Sequence, residues 1–212
     1  MPEVIPQRFR KSSPSIASYD YLDYVSGAGY RTFYAVNGED STGVFGFLSP
    51  VVMDSAMPGV APLNDRRLQV ATSATATVNY DITFGTSATI AGGEVYVNYS
   101  TRGLASGSTG SAVFTLKRVR GADSTTIATS TSPTISTGGS ESYYRRGFKM
   151  TATETLLVDG DVLRLTVALT SVSGAGIIIN IDPSNLLGQV ETSTSVVIPT
   201  SLIMRVPFVV DI

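Results

Sequence analysis

No cysteine, histidine or tryptophan occurs in this chain of 212 residues. Without cysteine there is no disulfide framework and no thiolate metal site. Without histidine the commonest general base, the commonest metal ligand and the side chain that titrates near neutrality are all missing. A Ser-His-Asp triad is excluded. A platform for stacking sugars has only tyrosine and phenylalanine to draw on. Charge is sparse as well: 15% of residues are charged, and the formal net charge is −2. The usual share is about a quarter, so Ser, Thr, Gly and Asn must cover much of the surface. No overall field favours nucleic acid, which is not expected as a partner. No run of about 18 apolar residues occurs, so no membrane partner is expected. The first residues, MPEVIPQRFRK, lack the apolar stretch of a signal peptide.

What is present is alternation. Hydrophobic residues make up 42% of the chain, enough for a core. The best-defined stretch is Tyr143 to Leu169. In it Leu163, Leu165, Val167 and Leu169 fall on one face, and Phe148, Met150 and Ala152 form a second set. Period two marks strands with one buried face. This stretch is expected to supply two core strands, with Asp159-Gly160-Asp161 as a turn. Leu68 to Phe84 alternates without a break, as one strand or as two meeting at a bend. Further strands are expected at 94–100, with Val95, Val97 and Tyr99 inward, and at 112–120, with Phe114 and Leu116 inward. Residues 125–130 should pair back across the turn Gly121-Ala122-Asp123. Gly176 to Ile181 reads as a short apolar strand, closed by Asp182-Pro183-Ser184-Asn185. A last strand follows Leu202, Met204, Val206, Phe208, Val210 and Ile212. Its Pro207 predicts an edge or a bulge. Residues 86–93 and 132–140 read as turn and loop. A possible short strand lies at 195–198.

No long period of 3.6 appears. About eight strands separated by turn signals predict an all-β antiparallel β-sandwich, with a jelly roll as the architecture of choice. Residues 1–67 differ: they carry Pro2, Pro6, Pro14, Pro50, Pro58 and Pro62 with only short apolar pieces. They are expected to form an extended N-terminal arm, and residues 68–212 the β domain.

No residue pattern carries chemistry strongly. Lys11, Lys117 and Lys149 are the only lysines, and none sits in a catalytic spacing with serine. Glu94 and Glu154 are the carboxylates best placed for glycoside hydrolysis, although a solvated face explains them as well. Asp159 with Asp161, or Asp182 with Asn185, could offer oxygens to calcium, but turn chemistry accounts for both pairs. Gly103–Gly110 lacks the lysine and helix of a phosphate loop and reads as a flexible loop. Asn98-Tyr99-Ser100 matches a glycosylation acceptor by chance. No catalytic, cofactor or metal residue is therefore expected. Contact residues are. Arg8, Arg10 and Lys11 form a basic cluster, and Tyr19, Tyr21 and Tyr24, with Tyr30 and Tyr34, are dense in the arm. Tyr143, Tyr144, Arg145 and Arg146 add a second cluster, of residue types that anchor interfaces.

The run Gly160-Asp161-Val162-Leu163-Arg164-Leu165-Thr166-Val167, with Asp182-Pro183 after a short apolar strand, resembles a pattern of structural proteins of tailed bacteriophage virions. Within that group the chain looks most like jelly-roll capsid decoration (cement) or minor head proteins. The resemblance implies a non-enzymatic protein that binds the major capsid protein and stabilises the shell, often as a trimer. It also implies a place on the virion surface, reached from the host cytoplasm. Two other readings stay open: a carbohydrate- or receptor-binding module of a phage fibre or tail, and a carboxylate-dependent polysaccharide depolymerase.

Overall fold

The computed structural model describes residues 17–18, 28–40, 43–50, 67–137, 143–181 and 202–209. They hold fifteen strand segments and no helix. In chain order these are β1 Ala17–Ser18, β2 Ala28–Asp40, β3 Gly43–Ser49, β4 Arg67–Ala71, β5 Thr75–Thr83, β6 Ala88–Ile90, β7 Gly93–Gly103 and β8 Thr109–Arg120. They continue as β9 Asp123–Thr131, β10 Ile135–Ser136, β11 Tyr143–Ala152, β12 Thr155–Leu157, β13 Val162–Ser173, β14 Gly176–Asn180 and β15 Ile203–Val209. The class is all-β, as expected, and the architecture is a β-sandwich.

One layer runs β9-β8-β13-β5. The other is built on β7, which carries β11 along one edge and β15 followed by β14 along the other. β15 continues the second layer to β2, and β14 continues it to β4. β3 joins the layers: it pairs antiparallel with β2 along its length and parallel with β5 at Gly46–Phe47. That short join is the one parallel pairing among the described strands.

The alternating residues fill the space between the layers. Val95, Val97 and Tyr99 of β7 face Phe114 and Leu116 of β8 and Leu163, Leu165, Val167 and Leu169 of β13, all buried. The aromatic rings interlock at the centre, with Tyr99–Phe114 centroids 5.2 Å apart and Phe114–Phe148 4.9 Å apart. Phe208 of β15 lies against Phe33 and Phe84 at 6.2 and 6.0 Å. A fully buried Leu or Phe contributes about 1.5–3 kcal/mol, so this seam dominates stability.

Several expectations are corrected. β2 and β3 lie inside the stretch read as an arm, yet Phe33, Ala35, Val36 and Leu48 are buried. The β domain therefore includes residues 28–40 and 43–50; the rest of the stretch, apart from β1 and Arg67 of β4, lies outside the described residues. Tyr143–Leu169 supplies the two core strands expected, one to each layer: β11 pairs with β7 and β13 with β5 and β8, and the short β12 lies between them. For Leu68–Phe84 the second of the two readings holds: β4 and β5 meet at a bend at Ser73, whose φ is 57°. Residues 86–93 contain β6, which pairs with β12. The Gly103–Gly110 segment is held down: Gly107 N–H donates to Thr137 O at 3.0 Å, and Thr137 N–H donates to Ser108 O at 3.1 Å. β15 is not an edge, because β2 pairs along it and β7 pairs with Ile203–Arg205. Pro207 follows the point where the β7 ladder ends, so its missing N–H breaks no bond to that strand. The stretches at 182–185, 186–200 and 210–212 lie outside the described residues.

Candidate functional site

The outward face of β11-β7-β15-β2 carries the candidate site. In register, Lys149 of β11 lies beside Tyr96 of β7, which lies beside Arg205 of β15, which lies beside Thr32 of β2. Neighbouring strands bring such residues within about 5 Å, and diagonal neighbours within reach of long side chains. Lys149 forms an ion pair with Glu94, and the Tyr96 hydroxyl donates to the other Glu94 oxygen at 2.6 Å. The Tyr96 ring lies 5.8 Å from that of Tyr30. The Arg205 guanidinium lies over the Tyr30 ring at 5.5 Å, a cation–π contact. Tyr96 keeps 39% of its surface exposed.

The electrostatics follow from these contacts. The bond from Lys149, then that from Tyr96, holds the Glu94 carboxyl below its usual range. The same bond to Glu94, with burial adding to it, pushes the Tyr96 phenol up to about 12. Glu94 is thus ionised and engaged, which suits it poorly to act as a general acid near neutrality. Glu154 is exposed. Arg145 and Arg205 are exposed and form no ion pair with a described carboxylate.

The outward face of the opposite layer contrasts with this one. Its hydroxyls and amides satisfy each other laterally, as in Thr75–Thr170 at 2.8 Å, Thr115–Thr129 at 3.1 Å and Thr166–Asn79 at 2.8 Å. Arg164 and Asp81 form a two-pronged ion pair at 2.8 and 2.7 Å.

The expected contact residues separate. Arg8, Arg10, Lys11, Tyr19, Tyr21 and Tyr24 lie outside the described residues. Tyr143 pairs in register with Arg102 through the backbone. Alternation then splits the rest of its cluster. Arg145 points to the outward face. Tyr144 and Arg146 point the other way, half-buried, with the Arg146 guanidinium 5.7 Å from the Tyr144 ring centroid. Arg146 also donates to Thr101 Oγ1 at 3.0 Å and Ser136 O at 3.1 Å, so it helps hold the rim together. Tyr96, Arg205 and Lys149 were not foreseen as contact residues. They come from three strands far apart in the sequence, and no spacing could have joined them.

The calcium candidate resolves into structure. Asp161 is buried, receives both prongs of Arg120 at 2.7 Å, and accepts the Val158 N–H at 2.9 Å. Among the described residues no three His, Cys, Asp or Glu side chains cluster as metal ligands.

No family model matches the chain, and no curated protein does. Solved structures do resemble it. A CocE/NonD family hydrolase from Staphylococcus aureus aligns over 86% of this chain at 11% identity with a TM-score of 0.52. The alignment covers 36% of the hydrolase, so the chain spans about a third of that protein's length. At this identity the likeness concerns the fold alone. A carbohydrate-binding module (TmCBM61) in complex with β-1,4-galactotriose aligns over 54% of this chain and 64% of its own, at 14% identity and a TM-score of 0.27. The structure of infectious bursal disease virus, Gx strain, aligns over 76% of this chain and 40% of its own, at 12% identity and a TM-score of 0.23. The last two scores are too low to carry an argument.

Proposed function

We propose that this chain is a non-enzymatic structural protein of a bacteriophage virion, a decoration module that docks on the capsid shell and stabilises it. The observation that carries the reading is the Lys149–Tyr96–Arg205 ladder with Tyr30. It is a row of interface-type residues on the outward sheet face, and the Arg145 and Arg205 guanidinium groups there form no ion pair with a described carboxylate. Tyr and Arg are the side chains most often found as interface anchors. The resemblance of Gly160–Val167 to virion proteins names the setting: the major capsid protein as partner and the particle surface as location. Arg8, Arg10 and Lys11 belong to the same reading as a second, basic contact. The engagement of Glu94, one of the two carboxylates named for hydrolysis, speaks against the enzymatic reading.

The test is binding of the purified chain to empty heads that lack it. Heads are expected to retain the wild-type chain and to resist heat better with it than without. Substitution of Tyr96→Ala with Arg205→Ala is expected to weaken retention about tenfold or more. A chain that leaves heads unbound and instead binds a defined oligosaccharide on a glycan array would move the assignment to the carbohydrate-binding reading.

A further inference from the structure

We infer that the occupant of the Tyr96–Arg205 face is a second copy of this chain, which presents its own segment Glu154–Asp159 to it. The inference rests on the decoration reading and divides its contacts: the Tyr96–Arg205 face joins copies of the module, the assembled copies meet the shell, and a variant that loses the face loses head retention through lost multivalency. Among the described residues, the face is net positive: Arg145, Lys149 and Arg205 stand against Glu94. The molecule as a whole is net negative, at −2. Two such faces brought together would repel, so a copy must offer a different surface.

That surface exists at the end of the sandwich where β11 gives way to β12. Leu156 is the second most exposed large apolar residue among those described, at 53%. It is flanked by Glu154 and Asp159, both exposed, and neither forms an ion pair with a described residue. Asp123, also exposed, lies next to this segment, because its hairpin neighbour Arg120 is bonded to Asp161. Arg118 offsets part of this charge, and it also fixes the segment by donating to Leu156 O at 3.3 Å. Thr153 N–H donates to Ile127 O at 2.9 Å and anchors the other end. The result is a rigid apolar knob with carboxylates on both sides. The face supplies the counterpart: an exposed Tyr96 ring between Lys149 and Arg205. Contact between two different surfaces of one molecule is head-to-tail, and it closes into a ring when the rotation allows.

The test is sedimentation of the full chain. At about 0.1 M salt the wild-type chain is expected to self-associate. At about 1 M it is expected to dissociate more readily, as the screening length falls from about 10 Å to about 3 Å. Arg205→Glu is expected to raise the concentration of half-dissociation about tenfold or more. Glu154→Arg with Asp159→Arg should do the same, and the three changes together should return it towards the wild-type value. Leu156→Asp, on an exposed side chain, is a second variant that spares the fold; circular dichroism checks that it does. A chain that stays monomeric at every attainable concentration overturns the inference, and so does an unchanged mass for Arg205→Glu. A monomer that still binds heads overturns self-docking and leaves the decoration reading intact. Self-association without head binding supports self-docking and removes that reading.

Discussion

Arg120 grips the buried carboxylate of Asp161 with two parallel bonds, both 2.7 Å long. The pair ties the tip of the β8–β9 hairpin to the turn that precedes β13. Around it, Phe84 N–H donates to Asp161 O and Gly160 N–H donates to Phe84 O, each at 2.8 Å. The Arg120 bond, with help from the Val158 N–H, holds the carboxyl at about 2 against an ordinary 3.8. A carboxyl depressed by folding stabilises the fold fully above its ordinary value, and the contribution drains away as pH falls towards the folded value. Stability is therefore expected to drop between about pH 4 and about pH 2. Asp161→Asn is expected to flatten that slope and to cost about 1–3 kcal/mol at neutral pH. Urea unfolding of both forms across that range checks it; an unchanged acid slope in the variant would refute the assignment.

Tyr80 predicts a gain rather than a loss. Its side chain is fully buried, and its hydroxyl makes no hydrogen bond with a described residue. Burial pushes the phenol well above its ordinary value, so it stays neutral at any physiological pH. A buried hydroxyl without a partner costs free energy that phenylalanine does not. Tyr80→Phe is expected to be neutral or to stabilise by about 1 kcal/mol. A shift in thermal midpoint measures this, and a marked destabilisation would mean that the hydroxyl has a partner.

Gly46 predicts the opposite. It stands at the parallel join of β3 to β5, opposite Tyr80. A Cβ there would collide with the Asn79 carbonyl oxygen and approach Tyr80 Cδ1 to 2.8 Å. The carbonyl belongs to a strand that is paired with β13, so it cannot move aside cheaply. Gly46→Ala is expected to cost about 2 kcal/mol or more, as overpacking does. Hydrogen exchange should show the loss first in β3. Equal protection of β3 in both forms would show that the layers are not joined there.

How much of this was legible follows from which faces are covered. β5, β7, β8, β13 and β15 have one buried face each, so their sequences alternate and reveal both strand and core. β2 hides because both of its faces are partly covered. Phe33 and Ala35 are buried on one side, Val36 is buried on the other, and Tyr30 and Tyr34 are half-buried beside it. A strand with two covered faces has no period to read. β6 and β12 span three residues each, which is too short for any period. Asp161 was correctly read as part of a turn, but its partner Arg120 lies in another hairpin and only the fold joins them. The Tyr96–Arg205 ladder was illegible for the same reason, because register between distant strands is a property of the sheet and not of the spacing.

The inclusion of β2 and β3 in the sandwich changes how the N-terminal region has to be tested. Removal of residues 1–67 would take away Phe33, Ala35, Val36 and Leu48 from buried positions. Each such loss costs about 2–5 kcal/mol for a large side chain, against a total stability of about 5–15 kcal/mol. That variant is expected to unfold and says nothing about docking. Removal of residues 1–16 leaves every described strand in place. It takes away Arg8, Arg10 and Lys11, half of the six basic and aromatic contact residues expected before β2. This shorter variant is expected to keep the thermal midpoint of the full chain and to bind empty heads more weakly, with a smaller dependence on salt. Undiminished, equally salt-sensitive binding would retire the basic cluster as a contact.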